Sequence, residues 1–351
     1  MLEVLGEPLA AALVGVFGGV LLGLAARLGR FCSLGAIEDA LYGGSLLRLR
    51  MWGVAIGAAV IGTFAAQALG WASVEQSAYL RLAWNPLASI AGGITFGYGM
   101  ALAGNCGFGA LARLGGGDIR AFVIVLVMGL SAYVAMSGPL AELRVWVFPQ
   151  EEITGAVPGI AHHLSGLTGL GLPLVGLVIG AVILAASLWD AEMLAKPSAI
   201  AWSLAVGLAI VSAWVGTSWI AATGFAAPEV VSHTFAAPLG DTILYLMTSS
   251  GSTVSFGVGS VAGVICGALL GSMVNGRFRW EACEDPRELR RQILGAVLMG
   301  VGAAVAMGCT VGQGLSAFSV LAASAPVTVA AIAFGTAIGL RQLIAGFMPS
   351  E

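Results

Sequence analysis

Long apolar segments run along almost the whole chain, separated by short stretches of charged residues or by clusters of proline and glycine. A segment of about 20 apolar residues is long enough to cross a lipid bilayer as a helix. Nine such segments are predicted, near 9–26, 51–70, 87–104, 121–138, 172–188, 199–216, 252–274, 293–308 and 326–345. The pattern therefore predicts an all-α integral membrane protein with about nine transmembrane helices.

Composition supports a lipid environment. Hydrophobic residues make up 58% of the chain and charged residues only 9%, whereas soluble domains carry about 25% charged residues. A net charge of −3 provides no basic surface for nucleic acid. The five cysteines include no Cys-x-x-Cys pair and do not indicate a disulfide scaffold. The first eight residues contain Glu3 and Glu7 but no Lys or Arg, so the first segment is expected to be a retained span rather than a cleaved signal.

The distribution of Lys and Arg predicts the orientation. If the N-terminus lies outside, Arg81 and Arg144 are the only two of the 15 basic residues in outside loops, which leaves 13 inside. Cytoplasmic loops are enriched in Lys and Arg, so the N-terminus is expected outside and the C-terminus in the cytoplasm. Tryptophans near span ends are interpreted as interfacial anchors, and these are Trp52, Trp71, Trp84, Trp189 and Trp219.

A glycine- and cysteine-containing pattern recurs along the chain. Residues 92–109 and 295–312 match without a gap at seven of 18 positions, and the shared frame is Gly, Gly at +5, Cys at +14 and Gly at +17. The same frame starts at Gly18 and also ends near a cysteine. The three copies place Cys32, Cys106 and Cys309 three residues before Gly35, Gly109 and Gly312. A fourth, degenerate copy has alanine instead of cysteine and consists of Gly207, Ser212, Ala221 and Gly224.

The copies predict an inverted repeat within a single transmembrane domain, 1–351. With nine spans, the first two copies run inward and the last two outward, so 9–138 is predicted as one half and 199–345 as its inverted partner. Residues 139–198 then form an exterior loop and a linking helix. Inverted repeats are typical of transporters with a site near the membrane midplane. The apolar stretch after each cysteine is too short to cross again and is predicted to be a re-entrant half-helix.

Such an arrangement suits an anion. The N-terminus of a half-helix carries unpaired N–H groups and a partial positive charge, so several converging ends bind an anion without a buried Lys or Arg. A thiol is a weak, poorly hydrated donor with a polarizable sulfur. It therefore favours a soft anion that ends in a sulfur atom over sulfate, which presents only oxygens. Supporting residues are expected beside the cysteines. The polar ones either bind substrate oxygens or satisfy the backbone at the break, and the set is Gly35, Asn105, Gly107, Gly109, Thr310, Gly312 and Gln313.

The stretches RFCSLG, GNCGFG and MGCTVGQG, together with the chain length and the glycine-rich spans, resemble the YeeE/YedE family of sulfur-compound transporters. The resemblance covers nearly the whole chain and implies thiosulfate import across the bacterial inner membrane. It also implies that Cys32, Cys106 and Cys309 line a constriction and hand the substrate along through S–H contacts. Some relatives work with a TusA-like sulfur carrier, here necessarily a separate protein, and others are linked to selenium.

Two other classes remain open. A Cu(I) transporter would use the cysteines with Met100 and Met307, and a membrane thiol enzyme would need an activating His or cation beside its nucleophile. Neither enzymatic activity nor a cofactor nor a resident metal is expected. The chain has no nucleotide-binding loop and no evident ionisable residue within a span, so passive transport is the hypothesis.

Four further features receive structural interpretations. Cys266 is expected to be a small packing residue within a span, and Cys283 lies in a charged cytoplasmic loop. The adjacent His162 and His163 are interpreted as a solvated loop feature rather than a metal site. Glu38 and Asp39 are expected at the cytoplasmic mouth, capping a helix or pairing with Arg48 or Arg50.

Overall fold

The computed structural model describes residues 6–153, 157–225, 228–281 and 285–345. Within these ranges, almost every element is a helix. The α-helices are α1 Glu7–Leu28, α2 Ser33–Glu38, α3 Leu47–Ala68, α4 Ala78–Arg81, α5 Pro86–Ala103, α6 Gly107–Gly115, α7 Ile119–Met136, α8 Ala141–Val147, α9 Ile160–Thr168, α10 Leu172–Leu188, α11 Ala191–Leu194, α12 Pro197–Thr223, α13 Ala237–Thr248, α14 Phe256–Val274, α15 Pro286–Val305 and α16 Ser324–Ala345.

Each of the nine predicted spans coincides with one helix, which confirms an all-α membrane protein. Seven helical stretches in the described part of the chain are long and apolar enough to cross a membrane, or eight if α9 and α10, bent by 116°, form one span. The one remaining predicted span, 293–308 in α15, follows the charged sequence PRELRR, and the helix is apolar only beyond it. The count of nine spans stays a prediction.

Short polar and proline signals set the beginnings of the long helices. The side chain of Asn85 accepts a hydrogen bond from the amide of Ala88 at 3.2 Å, and Ser255 accepts one from Val258 at 3.4 Å. Proline stands in the first turn of α5, where a missing N–H costs nothing. These signals fix where α5 and α14 begin.

The order of elements is the same in the two halves of the chain. Each half contains a long helix, a short helix, two long helices, a second short helix and a final long helix. In the first half these are α1, α2, α3, α5, α6 and α7. In the second they are α12, α13, α14, α15, the helical segment 310–319 and α16. Segment 310–319 includes a π-helical stretch, Gly312–Ala317.

The halves pack through matching pairs of helices. Helix α1 packs against α14 and α3 packs against α12, while α5 packs against α16 and α7 against α15. The corresponding helices α1 and α12 contact each other, as do α5 and α15. Residues early in α5 face residues late in α15, so these two helices run antiparallel.

The repeat glycines form the crossing of α5 and α15. A Cβ on Gly99 would lie 2.6 Å from the carbonyl oxygen of Gly295, and one on Gly302 would lie 2.8 Å from that of Gly92. Gly92 and Gly99 correspond to Gly295 and Gly302 in the sequence repeat, so the two contacts are equivalent to each other. Only glycine allows backbones to approach so closely.

The alignment of the fourth copy with the cysteine copies implies a chain break near Ala221, and this implication is wrong. Helix α12 continues through Ala221 to Thr223, and the next short helix, α13, begins only at Ala237. Alanine and threonine continue a helix here, whereas a cysteine copy breaks at an equivalent position. The chain enters the core through the extended residues 228–235 instead.

Two smaller predictions are also wrong. Trp52 is buried and stacks on Phe31, with ring centroids 4.7 Å apart, so it is no interfacial anchor, although Trp71 and Trp189 are exposed as predicted. Cys266 is exposed on the outer face of α14 rather than packed. Both residues lie on helices with apolar side chains all round, and the sequence does not reveal which face points inward.

Candidate functional site

All three cysteines follow the same backbone turn. Two residues before each cysteine, the chain adopts a left-handed conformation, with φ of 53° at Arg30, 74° at Gly104 and 56° at Met307. This conformation is typical just after a helix C-terminus and is uncommon for residues other than glycine. A helix begins immediately after each cysteine, at Ser33, Gly107 and Thr310. The predicted chain break, with a new helix starting directly after the cysteine, is therefore present in all three cysteine copies.

Cys106 and Cys309 hold equivalent positions at the helix N-termini. The Sγ of Cys106 accepts a hydrogen bond from the amide of Gly109 at 3.3 Å, and the Sγ of Cys309 accepts one from Gly312 at 3.5 Å. Both side chains are 1% exposed. In each case the sulfur uses its acceptor capacity on the helix.

Cys309 has two further neighbours from a distant part of the chain. Its Sγ accepts a hydrogen bond from the amide of Phe235 at 3.4 Å and lies 3.8 Å from the hydroxyl of Thr234. Phe235 stacks on Phe108, two residues after Cys106, with centroids 5.5 Å apart. The extended segment 228–235 thus links the surroundings of Cys309 and Cys106.

Cys32 is less buried and is the N-cap residue of α2. The hydroxyl of the next residue, Ser33, lies 3.5 Å from that of Thr310 and 3.6 Å from the Sδ of Met100. The helices that follow Cys32 and Cys309 therefore begin beside each other.

Two separate cavities reach this region from opposite ends of α1 and α14. The two are named by the predicted orientation. The outer cavity, about 720 Å³, lies at the beginnings of both helices and includes Glu7, Phe256 and Thr234 in its lining. The inner cavity, about 310 Å³, lies at their ends and includes Arg27 and Cys32. No residue lines both cavities. Buried cysteines and stacked phenylalanines separate them.

The predicted supporting residues divide by role. The side-chain Nε2 of Gln313 donates hydrogen bonds to the backbone carbonyl groups of Ala306 and Met307 at 2.9 and 3.2 Å, so Gln313 satisfies the backbone at the break. Thr310 accepts the hydroxyl of Ser33. Asn105, 2% exposed, lines the inner cavity, and its Oδ1 has no partner among the described residues. Asn105 is the polar neighbour left available to a ligand.

The predicted glycines allow close packing around the cysteines. A Cβ on Gly107 would collide with the side chain of Met128, and Gly35 adjoins the guanidinium of Arg48. Gly109 lies on the inner cavity wall, whereas Gly312 adjoins Thr234. These four positions shape the surroundings of the thiols, and two of them also donate amides to sulfur.

Sequence reasoning missed segment 228–235. His233 is fully buried, with its Nδ1 2.7 Å from the Ser260 hydroxyl, and its carbonyl accepts the Ser316 hydroxyl at 2.6 Å. These bonds hold Thr234 and Phe235 against Cys309. A single histidine between two apolar spans was the available signal, and it carries no periodicity to interpret.

The remaining predicted features lie away from the cysteines. Asp39 pairs with Arg48 at 3.2 Å, as expected for the mouth. The prediction of a solvated loop feature for His162 and His163 is wrong in part. Both residues lie on helix α9, and although His163 is exposed, both ring nitrogens of His162 are buried. Cys283 lies outside the described residues.

Residues 28–338 match the family model described as sulphur transport. The chain belongs to the sulphur transport family. The resemblance seen in the sequence is thereby confirmed, and the chain is a multi-pass membrane transporter.

Two curated relatives in the sulphur transport family align over most of their length. The thiosulfate transporter TsuA of Spirochaeta thermophila is 27% identical over 326 residues, covering 88% of this chain and 92% of the relative. The thiosulfate transporter TsuA of Escherichia coli is 28% identical over 324 residues, covering 86% of both.

Proposed function

We propose that this member of the sulphur transport family imports thiosulfate or a closely related soft sulfur anion. The substrate moves from the outer cavity past Cys309, Cys106 and Cys32, in that order, into the inner cavity. The observation that carries the proposal is the placement of three thiols at helix N-termini between two cavities. The names of the two relatives support the choice of thiosulfate.

The hydrogen bonds around the thiols support donation to an anion. The sulfur atoms of Cys106 and Cys309 accept backbone N–H groups, and the S–H of Cys106 has no acceptor among the described residues. A hydrogen bond from this S–H to the terminal sulfur of thiosulfate joins two polarizable, weakly hydrated atoms. A serine at the same place would favour harder oxyanions.

The constriction attracts an anion without a fixed cation. Among the described residues, no Lys or Arg side chain is buried. Helix N-termini supply only partial positive charge, so the anion binds weakly enough to leave, as conduction requires. A buried arginine in this place would hold a dianion too tightly.

The fold supports an inverted repeat around this site. We propose that 9–138 and 199–345 are its two halves, joined by 139–198, within one domain, 1–351. The antiparallel crossing of α5 and α15 supports opposite orientations of the halves. The left-handed residue before each cysteine supports a common origin of the breaks.

The membrane setting is part of the proposal. The N-terminus lies in the periplasm and the C-terminus in the cytoplasm of a bacterial inner membrane, so import ends at the arginine-lined inner cavity. Transport is passive and is drawn by consumption of the anion inside. A separate TusA-like carrier works with the transporter on the cytoplasmic side.

Transport of an anion is favoured over the two rival functions. The partners of the Cys309 sulfur are backbone amides and a threonine hydroxyl, which are donors suited to an anion and not ligands for Cu(I). A thiol enzyme would need an imidazole or cation on its nucleophile, and the Nδ1 of His233 is directed to Ser260 instead.

Uptake of radiolabelled substrates tests the proposal. Cells that lack other importers and express this chain are expected to accumulate thiosulfate and to exclude sulfate and Cu(I). Selenite is the fourth substrate, and preferential uptake of it would assign the chain to selenium. Membrane-inserted protein that imports none of the sulfur anions would overturn the proposal.

A further inference from the structure

We propose that the inner cavity is a second anion-binding site, which takes tetrahedral sulfur oxyanions whether or not they carry a terminal sulfur. The inference rests on the proposed function in one respect, because the anion released from Cys32 enters this cavity. Five arginines and no Asp or Glu line it, and they are Arg27, Arg30, Arg48, Arg113 and Arg277.

Most of this positive charge is not neutralised by the protein. Among the described residues, Arg48 is the only one of the five within 4 Å of a carboxylate, at 3.2 Å from Asp39. The carboxylates of Asp118 and Glu281 also attract the guanidinium of Arg27 electrostatically. Both carboxylates already form ion pairs with Arg120, with N–O distances of 3.2 and 3.4 Å. Like charges around one cavity raise each other's energy, and a bound dianion removes that cost.

One of the five arginine side chains, that of Arg27, is held in place by a hydrogen bond. The Nε of Arg27 donates to the hydroxyl of Ser272 at 2.7 Å, which fixes the guanidinium and leaves its outer nitrogens free to bind. A guanidinium presents paired donors that match two oxygens of an oxyanion.

A second observation concerns the hydration of the same cavity. The buried amide of Asn105 forms part of its lining, and the Oδ1 has no partner among the described residues. This oxygen accepts hydrogen bonds and an oxyanion has no proton to donate, so a water molecule that hydrates the anion is the partner that satisfies it. The volume of about 310 Å³ equals about ten water molecules. An oxyanion fits with part of its hydration shell.

The cysteines and the inner cavity recognise different ends of the substrate. Thiols distinguish a terminal sulfur, whereas arginines recognise oxygens and do not distinguish thiosulfate from sulfate. Sulfate present on the inner side therefore occupies the cavity beside Cys32 and slows release of incoming thiosulfate. Because the arginines are partly solvated, this binding is weak and falls with ionic strength.

Equilibrium binding of radiolabelled sulfate to the purified full-length protein tests the site. Saturable binding is expected, with competition by thiosulfate and weakening at high KCl. The double variant R113Q/R277Q should bind about tenfold more weakly or worse, since charge-assisted contacts are lost. Arg50→Gln is the matched control, because Arg50 pairs with Asp190 outside this cavity. Absence of saturable binding, or equal loss in the control, would overturn the proposal.

Protection of Cys32 gives a measurement that needs no arginine variant. In protein with Cys266 and Cys283 replaced by alanine, sulfate should slow alkylation of Cys32, measured by mass spectrometry. Alkylation at the same rate with and without sulfate contradicts the proposal.

One variant tests the cysteine relay and the inner site by different measurements. A double-alanine variant of Cys106 and Cys309, neither of which lines the inner cavity, should lose uptake and still bind sulfate. Uptake that persists in this variant counts against the relay alone, whereas loss of sulfate binding by the variant counts against the inner site.

Discussion

The hydroxyl groups of Ser33 and Thr310 lie 3.5 Å apart, although 277 positions separate the two residues in sequence. Each follows one of the cysteines, so the contact joins the starts of two half-helices from opposite halves of the chain. An anion near this point meets two positive helix ends at once. In the proposed function, these paired ends attract the anion without a buried cation.

Replacing any one of Cys32, Cys106 and Cys309 with alanine should depress thiosulfate uptake while the protein remains in the membrane. Loss of one hydrogen bond to a charged substrate, about 1.5–3 kcal/mol, corresponds to about tenfold to a hundredfold in rate. Initial uptake rates, normalised to protein in the membrane, measure the effect. Cys266→Ala is the control and should be near neutral, because Cys266 is exposed on the outer face of α14. Full activity in all three single variants would leave the cysteines as packing residues.

Uptake should fall as the pH rises into the alkaline range. A neutral thiol donates its S–H to the anion, whereas a thiolate has no proton to donate and repels the substrate. Deprotonation of the thiols is therefore expected to lower the uptake rate. Initial rates in proteoliposomes, with the same pH on both sides, measure the dependence. A rate that rises steadily with pH would contradict relay by neutral thiols.

Asn105 and Gln313 should respond differently to substitution. Asn105→Ala should weaken uptake with little change in thermal stability, because its Oδ1 has no protein partner to lose. Gln313→Leu should lower stability by about 1–3 kcal/mol, because it leaves the carbonyl groups of Ala306 and Met307 unpaired. Thermal unfolding in detergent and uptake rates separate the two effects. Equal loss of stability in both variants would assign Asn105 a structural role.

Gly295→Ala should destabilise the protein, because its Cβ would lie 2.6 Å from the carbonyl oxygen of Gly99 and 2.6 Å from the amide nitrogen of Ala103. Overpacking of this kind costs about 1–3 kcal/mol. Gly166→Ala is the matched control, since nothing lies within 4 Å of its added Cβ. Thermal unfolding of both variants measures the difference, and an unchanged melting temperature for Gly295→Ala would contradict the close crossing.

The orientation is tested with an impermeant thiol reagent on intact cells. In protein with Cys266 replaced, Gly166→Cys should react, because position 166 is exposed in the predicted periplasmic segment. Cys283 should be labelled only after the cells are opened. The reverse pattern would invert the predicted topology.

The sequence was sufficient for the spans and the three cysteine breaks because both depend on local patterns. Apolar length predicts a span, and a cysteine recurring in one frame predicts a shared turn, which the left-handed residues Arg30, Gly104 and Met307 form. The position of a side chain around an apolar helix is not local. The predictions for Trp52 and Cys266 were wrong for this reason, because a helix with apolar residues on every face does not indicate which face points to the protein interior.

The candidate site was only half visible from the sequence. Cys106 and Cys309 could be found by repetition, but their partner segment, 228–235, occurs once and forms no helix. Its link to Cys309 consists of a backbone amide and one hydroxyl. Such contacts follow from tertiary packing and leave no signature in residue type.

The backbone contacts of Gly92 with Gly302 and of Gly99 with Gly295 also determine which parts of the protein can move. A contact between two main chains has no rotamers, so it cannot open by side-chain rearrangement. The two helices can therefore move only together, as one rigid unit. Any opening of the path between the two cavities then requires movement of the elements that surround the crossing of α5 and α15.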